Sequence, residues 1–308
     1  MQMYILAPKE NWICDRLASE WNKFKYKTVS SSPHDADIIW LLSSWSWDLL
    51  PLNLLNQKKV ITTIHHIDPT KVDQKFKVDF SQRDAITDLY HVPCEKTKKQ
   101  VEQHTSKKIF VQPFWVNQTL WFPIANKPAL RQGLDLPTDK KLIGSFQRDT
   151  EGHDLKSPKL SKGPDIFCDI VEKMHKKDQN VEVVLAGWRR QYVIKRLDAV
   201  GIKYYYFEWA NLGLLNKLYN CLDLYVVSSR TEGGPQAIVE AALTKTPIIS
   251  TDVGLASKIL SPESVYDHSE FDSAKPNTIF AYQNAQKYLI PNGFCSFENK
   301  FFDATETT

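Results

Sequence analysis

The sequence predicts an α/β protein made of two units, each with a parallel sheet and helices on both faces. Short apolar runs rich in β-forming residues alternate with helical patterns, and this alternation stops once and then begins again. Such alternation is typical of parallel sheets. The interruption contains Pro113, Pro123 and Pro128, and all eleven glycines lie after it begins, from Gly133 to Gly293. The 308 residues are enough for two domains of about 100–150 residues each.

Apolar runs predict the strands, and the amphipathic stretches between them predict the helices. In the first unit we expect strands at 4–6, 38–42, 60–64, 89–92 and 109–111, with helices at 12–24, 45–55 and 95–104. The interruption, at 113–138, is expected to be a linker. In the second unit we expect strands at 141–146, 181–187, 204–207, 224–228 and 247–250, with helices at 165–177, 190–199, 212–221, after 235 and after 253. A polar loop is expected at 147–162, and a helix at 279–289 before an aromatic-rich tail at 294–302.

The most informative stretch is the strand at 224–228 together with the turn and helix that follow it. Gly233 and Gly234 form the turn, and Pro235 suits the first position of a helix. A strand, a glycine turn and a helix N-terminus direct free backbone N–H groups and the positive end of the helix dipole at an anion. The stretch therefore predicts a phosphate site.

Two carboxylates frame this phosphate site. Glu232 precedes the helix, and Glu240 lies about one and a half turns inside it. Because carboxylates do not bind phosphate, we expect both to accept hydrogen bonds from hydroxyl groups on either side of the phosphates. Hydroxyls that flank a diphosphate describe a nucleotide sugar. The alternative is an ordinary strand-to-helix turn with a glutamate on the surface of its helix.

The pattern Glu-x7-Glu, after a strand ending in Ser228-Ser229 and closed by Glu240-Ala241, resembles the donor-site signature of family-four retaining glycosyltransferases. The resemblance is strong across 141–260 and loose in the first 110 residues. It implies the GT-B fold, which has two facing Rossmann-like domains with a cleft between them and a C-terminal crossover helix. The expected domains are an N-terminal acceptor domain at 1–124 and a donor domain at 125–278. The helix and tail at 279–308 are expected to return to the first domain.

The resemblance also assigns residues that bind the donor diphosphate. Gly144, Arg148 and Lys162-Gly163 match a pattern in which the Arg and the Lys contact the diphosphate. The loop between them is longer than the family pattern, so Lys156 and Lys159 remain alternatives for the second cation. Two fixed cations and a helix N-terminus stabilise the negative charge that develops as the diphosphate leaves.

The remaining site residues are also implied by the resemblance. Glu232 is expected to contact hydroxyls of the transferred sugar, and Glu240 the ribose hydroxyls. Backbone amides around Gly233, Gly234 and Gln236 would support the sugar and phosphate. His65 is expected to face the donor sugar across the cleft, with a purely structural histidine as the alternative. Apart from the resemblance, Gly187 is expected at the donor site, and Trp188, which follows it, is expected to line the pocket for the nucleotide base. One departure is that Pro8-Lys9-Glu10-Asn11-Trp12 replaces a glycine-rich loop that many members have near the N-terminus.

No metal site or cofactor is expected. Asp35-Ala36-Asp37 matches the sequence of a metal-binding Asp-x-Asp motif, but it precedes a strand instead of following one. We therefore expect Asp37 to cap the entrance of that strand. The two cations would take the place of the divalent ion that other glycosyltransferases use.

The charge distribution limits the partners. Residues 1–124 carry 16 Lys and Arg against 13 Asp and Glu, whereas the remaining residues carry 23 of each. The basic clusters lie at 23–27, 96–99 and 107–108, and most such clusters are solvated surfaces. The alternative is attraction to an anionic membrane or to a lipid-linked acceptor. No nucleic-acid partner is expected, because no recognised binding motif accompanies the lysines.

The composition favours a cytoplasmic protein. Five scattered cysteines with no Cys-x-x-Cys pair favour reduced thiols. The N-terminal sequence lacks the pattern of a signal peptide, and no run reaches the roughly 18 apolar residues of a membrane span. Peripheral contact with the inner face of a membrane is the alternative to a purely cytoplasmic location.

The function expected from these features is retaining, metal-independent transfer of a sugar from a nucleotide sugar to a saccharide or lipid-linked acceptor. One alternative is a non-catalytic GT-B-like subunit that binds a glycan or a partner enzyme. A second alternative is a nucleotide-sugar epimerase or an inverting transferase on the same fold. The presence of Arg148, Lys162, Glu232 and Glu240 together argues against the non-catalytic subunit, which would have no need of them all.

Overall fold

The computed structural model describes residues 2–10 and 13–306, with side chains described up to Phe301. The predicted start of the first helix at Trp12, the Asn11-Trp12 end of the N-terminal departure and the side chain of Phe302 lie outside the described residues. The chain divides into two compact units, Met1–Phe114 with Pro291–Thr308, and Trp115–Ile290.

The elements of the first unit are β1 (Met3–Leu6), α1 (Ile13–Phe24), β2 (Ile38–Leu41), α2 (Leu52–Leu55), β3 (Lys59–Thr63), α3 (Gln74–Ile86), β4 (Leu89–Val92), α4 (Glu95–Val101) and β5 (Ile109–Val111). The second unit contains α5 (Lys127–Gln132), β6 (Lys141–Ser145), β7 (Thr150–Glu151), β8 (Ser157–Pro158), α6 (Pro164–Lys177), β9 (Val181–Ala186), α7 (Gln191–Val200), β10 (Tyr204–Phe207), α8 (Leu212–Cys221), β11 (Leu224–Val227), α9 (Gln236–Leu243), β12 (Ile248–Thr251), α10 (Ala256–Ile259), β13 (Val265–Tyr266) and α11 (Thr278–Ala285). Helix α12 (Asn292–Glu306) returns to the first unit.

The first sheet is parallel throughout, with strand order β1-β2-β3-β4-β5. Its two faces can be separated along β2, because neighbouring side chains of a strand point to opposite faces. Ile39 and Leu41 pack with residues of α2 and with Ile86 of α3. Trp40, on the opposite face, packs against Trp21 of α1 and against aromatic residues of α12. Helices therefore cover both faces, as the sequence predicts.

A short pairing at the edge of this sheet explains why α1 lies opposite α2 and α3. Val29 forms a parallel bridge to Met3, and Ser30 donates to the Met3 carbonyl at 2.9 Å. After β1 the chain thus moves outward through α1 to Val29 before it turns back to β2. Right-handed crossovers in opposite directions place their helices on opposite faces.

The second sheet is also parallel and has the order β10-β9-β6-β11-β12-β13. This is the Rossmann order, in which the first strand of the unit, β6, and the fourth, β11, are neighbours. The strand order reverses between β6 and β11, and ligands bind α/β sheets outside the carboxyl ends of the strands at such a switch point. The fold therefore indicates that a ligand binds at the loops after β6 and β11.

The boundaries of the units differ from the expected ones at 124 and 279. Residues 115–124 pack on the second unit, where Trp121 contacts the ring of Tyr219 and the Ile124 amide donates to Asn220 at 2.7 Å. Helix α11 also remains in the second unit and packs against α9. The expectation that 279–289 crosses back is therefore wrong in detail. The crossover is made by α12, which was expected to be a tail.

Candidate active site

The site is built around the carboxyl end of β11, the buried strand beside the switch point. Ser228 and Ser229 follow this strand and are fully buried. The chain then forms a loop, and α9 begins at Gln236 with Pro235 at the N-cap position, one residue later than expected. The carbonyl of Gly233 holds this loop against Gly254, where a Cβ would lie 2.4 Å from that oxygen. Gly254 was not singled out from the sequence.

A second loop lies directly against the end of β11. Gly163 has a φ of 60°, and a Cβ at this position would lie 1.8 Å from the Ser228 carbonyl oxygen. Only glycine allows this approach. The amides of Arg230 and Thr231 donate to the Ser161 carbonyl at 2.9 and 3.1 Å, so the two loops are fastened together.

This contact brings Lys162 and Glu232 together. The ammonium group of Lys162 donates to Oε1 of Glu232, and the two side chains are 20% and 9% exposed. Ser229 Oγ lies 3.1 Å from Glu232 Oε1 and 3.1 Å from Gln147 Oε1. Gln147 in turn donates to the Lys162 carbonyl at 2.8 Å. Gln147 and Ser229 thus hold both charged residues. The sequence marked Ser229 only as the end of the strand before the signature, and it gave Gln147 no role.

The loop after β6 carries Arg148 to a different group of side chains. Its Nε donates to the Thr150 carbonyl at 3.0 Å, and its guanidinium lies 5.4 Å from the ring centre of Trp188. Arg189 lies 4.7 Å from the same ring. Burial and the neighbouring Arg189 lower the pKa of Arg148. The Glu151 carboxylate of the same loop opposes this shift. The loop thus brings two guanidinium groups to one aromatic ring.

A fully buried ion pair fixes the position of that loop. Arg190 binds Asp149 at 2.5 Å and also donates to the Ser145 and Ala186 carbonyls at 2.5 and 2.9 Å. These carbonyls end β6 and β9, so Arg190 joins the carboxyl ends of both strands. From the sequence, Arg190 is only the expected first residue of a helix. Its place directly after the Gly187 turn, which has a φ of 85°, was the available signal.

The expected polar loop at 147–162 contains a hairpin. Strands β7 and β8 pair in antiparallel fashion, and Arg189 donates to the Gly152 carbonyl at 3.1 Å. Lys156 is exposed on this hairpin, whereas the ammonium of Lys162 is the one that reaches Glu232. The hairpin explains why the segment is longer than the family pattern.

Glu240 is held apart from Lys162, on the second turn of α9. It is 7% exposed, and its Oε2 accepts a hydrogen bond of 3.1 Å from the hydroxyl of Tyr219. A buried carboxylate needs such partners to remain stable. Gly144 has a separate explanation, because a Cβ there would lie 2.2 Å from the Leu222 side chain. Packing is therefore sufficient reason for glycine at that position.

His65 belongs to the first unit. It follows β3, and its Nε2 lies 2.9 Å from the Leu42 carbonyl oxygen and 3.5 Å from Cys14 Sγ. Its ring stacks on Phe114 at 5.5 Å. The structure thus gives His65 contacts within the first unit, and its role toward a donor sugar remains a prediction.

The Asp-x-Asp sequence has a structural explanation. Asp37 accepts a 2.8 Å hydrogen bond from the Gln2 amide, beside the start of β2. Within residues 2–10 and 13–306, no group of three or more His, Cys, Asp and Glu side chains could hold a metal ion. No helix in the same part of the chain is long and apolar enough to cross a membrane.

Comparison with known sequences identifies the segment that contains most of this site. Residues 156–269 match the family model described as glycosyl transferases group 1. This segment includes Lys162, Glu232 and Glu240, but not Arg148. A search of curated proteins finds no match.

Solved structures with the same fold cover nearly the whole chain. HepE of Anabaena in complex with UDP-glucose has a TM-score of 0.75 at 12% identity, over 98% of this chain and 99% of that one. Sucrose-phosphate synthase of Thermosynechococcus elongatus has a TM-score of 0.69 at 16% identity, over 98% and 81%. The pneumococcal O-GlcNAc transferase GtfA, with UDP and GlcNAc, has a TM-score of 0.59 at 14% identity, over 87% and 57%. The chain therefore has the GT-B fold, with the group 1 glycosyl transferase pattern on the part of its second unit that carries Lys162, Glu232 and Glu240.

Proposed function

We propose that the protein is a retaining glycosyltransferase that moves a sugar from a nucleoside-diphosphate sugar to a saccharide or lipid-linked acceptor without a metal ion. The observation that carries this proposal is the cluster of Lys162, Glu232 and Ser229 at the switch point, beside the start of α9. Cation, carboxylate and helix N-terminus stand where a Rossmann unit binds its ligand.

In this proposal Arg148 and Lys162 bind the diphosphate of the donor. In the structure, Glu232 accepts a hydrogen bond from the ammonium group of Lys162. A diphosphate carries more negative charge than one carboxylate and competes for the cation. Glu232 is then free to turn toward hydroxyls of the transferred sugar, and Ser229 keeps it within reach.

The reaction exchanges one bond at the anomeric carbon for another. The bond from this carbon to the β-phosphate oxygen breaks, and a bond to the acceptor oxygen forms on the same face. The acceptor hydroxyl gives its proton to the departing phosphate oxygen. Lys162, Arg148 and the amides at the start of α9 stabilise the charge on the leaving diphosphate, and preorganised groups of this kind supply much of the rate enhancement of many enzymes. His65 is assigned to the sugar side of the donor.

Uridine nucleotides are the first donors to test. HepE is found with UDP-glucose, and the pneumococcal O-GlcNAc transferase with UDP and GlcNAc. We extend this chemistry to the present chain as part of the proposal. The acceptor is assigned only by class, as a hydroxyl of a saccharide or of a lipid-linked saccharide.

Membrane contact is a separate part of the proposal. Phe24 and Tyr26 are 42% and 68% exposed, between the exposed Lys23 and Lys27. Exposed aromatic rings among lysines suit an anionic lipid surface. Cosedimentation with vesicles containing phosphatidylserine would test it, and a Lys23→Glu/Lys27→Glu variant that sediments as wild type does would contradict it.

The experiment that tests the main proposal is a screen of UDP-, GDP- and ADP-sugars for thermal stabilisation and for slow hydrolysis. We expect one nucleotide to stabilise the protein, since any ligand that binds only the folded state does so. Activity is expected to survive EDTA. Loss of turnover with the chelator, restored by Mg²⁺ or Mn²⁺, would contradict the metal-free reaction.

Substitution of the two proposed cations, Arg148 and Lys162, tests whether they contribute to catalysis. Arg148→Ala and Lys162→Ala are each expected to lower kcat by about 10²–10³, as for other preorganised electrostatic groups. Lys156→Ala, on the exposed hairpin, is the matched control and is expected to retain wild-type kcat.

Nucleotide binding without turnover of any acceptor would favour a non-catalytic subunit. A product of inverted anomeric configuration would favour an inverting transferase.

A further inference from the structure

A chain of buried contacts connects the loop that carries Arg148 to Glu240. The Phe146 amide donates to the hydroxyl of Tyr225 at 3.2 Å, and the hydroxyl of Tyr219 donates to Glu240 at 3.1 Å. The rings of the two tyrosines pack against each other, with their centres 5.1 Å apart. The chain of contacts therefore runs from the end of β6 through β11 and α8 to α9.

The ring of Tyr219 is held firmly in this chain. It is 2% exposed, and its ring centre lies 4.8 Å from that of Phe146, 5.1 Å from that of Tyr225 and 5.8 Å from that of Trp121. A tyrosine has only two side-chain torsions, and packing on three sides fixes both. The position of the hydroxyl is thus set by the core of the unit, not by Glu240.

Burial, followed by the nearby Tyr225 and Glu240, raises the pKa of Tyr219 well above its ordinary value. The phenol therefore keeps its proton near neutral pH and donates the hydrogen bond to Glu240. A donor with a fixed position determines which rotamer the flexible Glu240 carboxylate adopts. Groups held by such supporting contacts keep a binding geometry that a free side chain does not.

We propose that Tyr219 is a positioning residue that holds Glu240 in the orientation that accepts the ribose hydroxyls of the nucleotide. This inference rests on the proposed function, in which Glu240 contacts ribose. It adds a source of selectivity: the site distinguishes a nucleotide with ribose hydroxyls from one without them, and part of this selectivity comes from a residue that does not touch the ligand.

The test compares binding of a ribonucleotide with binding of its 2′,3′-dideoxy analogue by calorimetry. The nucleotide used is whichever of UDP, GDP and ADP wild-type protein binds tightest. In Tyr219→Phe we expect binding of the ribonucleotide to weaken about 3- to 10-fold, the range for the loss of one hydrogen bond of ordinary strength, and binding of the dideoxy analogue to change less than about twofold. The Tyr219→Phe/Glu240→Gln double variant should bind the ribonucleotide no more weakly than Glu240→Gln, because residues that act as one unit are not additive.

Tyr266→Phe is the matched control. Tyr266 is a buried tyrosine of the same unit, on β13, and its hydroxyl donates to the Val227 carbonyl at 2.9 Å. We expect this variant to bind both nucleotides as wild type does. Should Tyr219→Phe fail to fold, Tyr225→Phe alters the tyrosine that packs against the Tyr219 ring at 5.1 Å and should shift the ratio of the two affinities in the same direction.

The outcomes separate this inference from the proposed function. If Glu240→Gln weakens the ribonucleotide but Tyr219→Phe weakens both nucleotides equally or neither, the positioning role is wrong and the assignment of Glu240 stands. If Glu240→Gln binds the ribonucleotide as tightly as wild type, or if wild type binds none of the three nucleotides, the proposed placement of the nucleotide fails and this inference fails with it.

Discussion

Lys162 and Glu232 neutralise each other in a setting where both are largely buried. Removing one partner of a buried pair leaves the other charge without compensation, which costs more than the pair itself contributes. The pair therefore keeps both charges stable while it holds one cation and one hydrogen-bond acceptor in the site. A ligand that supplies its own anion and its own hydroxyls satisfies both residues at once.

The two glutamates of the site are expected to respond differently to substitution. Glu240 is assigned to the ribose, far from the bond that breaks, so its contact is nearly equal in the ground and transition states. Glu240→Gln should therefore raise the KM for the donor and leave kcat largely intact. Glu232 is assigned to the transferred sugar, on which positive charge develops, so Glu232→Gln should lower kcat. Kinetics with the donor varied at saturating acceptor would measure both effects, and equal effects on kcat would contradict the assignment.

At the scale of elements, the close approach of two loops creates the site. At Gly163 the loop before α6 lies directly against the end of β11, and this places Lys162 beside Glu232. The two residues of the motif Lys162-Gly163 therefore have linked roles. Gly163 allows the close approach to the Ser228 carbonyl, and this approach lets Lys162 reach Glu232.

Gly163→Ala should uncouple the two loops. A Cβ would need a strained positive φ and would collide with the Ser228 carbonyl. We expect a loss of about 1–3 kcal/mol in the free energy of unfolding and weaker binding of the donor. Gly201→Ala is the control, because Gly201 has a φ of 70° but no atom within 4 Å of the added Cβ. Its stability should fall by a similar strain cost while donor affinity stays unchanged, and an equal loss of affinity in both variants would contradict the interpretation.

The first sheet contains a histidine that couples folding to pH. His91 of β4 is fully buried, between the Thr63 hydroxyl at 2.9 Å and the Gln112 carbonyl at 2.8 Å. Burial, with a smaller effect of His65, lowers the pKa of His91 to about 3, while the Gln112 carbonyl opposes this shift. Between pH 6.5 and 3 the unfolded chain therefore binds a proton that the folded chain does not.

The free energy of unfolding should consequently fall as the pH drops below 6.5. His91 alone would contribute a loss of about 1.4 kcal/mol per pH unit, or about 2 kcal/mol at pH 5. Chemical denaturation at pH 7.5 and pH 5 would measure this loss. His91→Gln should be less stable at pH 7.5 but should lack this part of the pH dependence, and an unchanged difference between the two pH values would contradict the role of His91.

At the scale of the whole molecule, the end of the chain completes the core of the first unit. Phe294, Phe297 and Phe301 of α12 are at most 1% exposed and contact Trp21, Trp40 and His91. Without α12 this face of the first sheet would be open to water. Residues nearly 300 positions away from β1 are thus required for the stability of the same unit.

Phe297→Ala should lower the free energy of unfolding of the first unit by about 3–5 kcal/mol, as expected for a large cavity in a core. Denaturant unfolding followed by tryptophan fluorescence would report the change, since Trp21 and Trp40 surround the cavity. Phe280→Ala on α11, where the side chain is 39% exposed, is the control and should cost far less. A comparable loss in both variants would show that α12 does not support this core.

Local sequence was sufficient for the elements with a clear period. β4, β5, β10 and α8 have the predicted bounds, because their apolar residues follow the period of the element and turn residues or caps end them. Helix α3 was not predicted because Lys75 to Phe80 alternates polar and apolar residues, which obscures the helical period. In α12 the spacing of Phe294, Phe297 and Phe301 is typical of a helix, whereas the aromatic content alone predicts only a tail.

The sequence by itself determined the fold class, the two parallel sheets, and the glycine turn and helix start that mark the candidate site. These depend on periodicity and on the few residues that permit tight turns, so neighbouring residues decide them. Only the tertiary structure decided that Lys162 pairs with Glu232, that Tyr219 reaches Glu240 and that Arg190 joins the ends of β6 and β9. These contacts join residues up to 70 positions apart. Their partners depend on strand order and packing, which no local pattern contains.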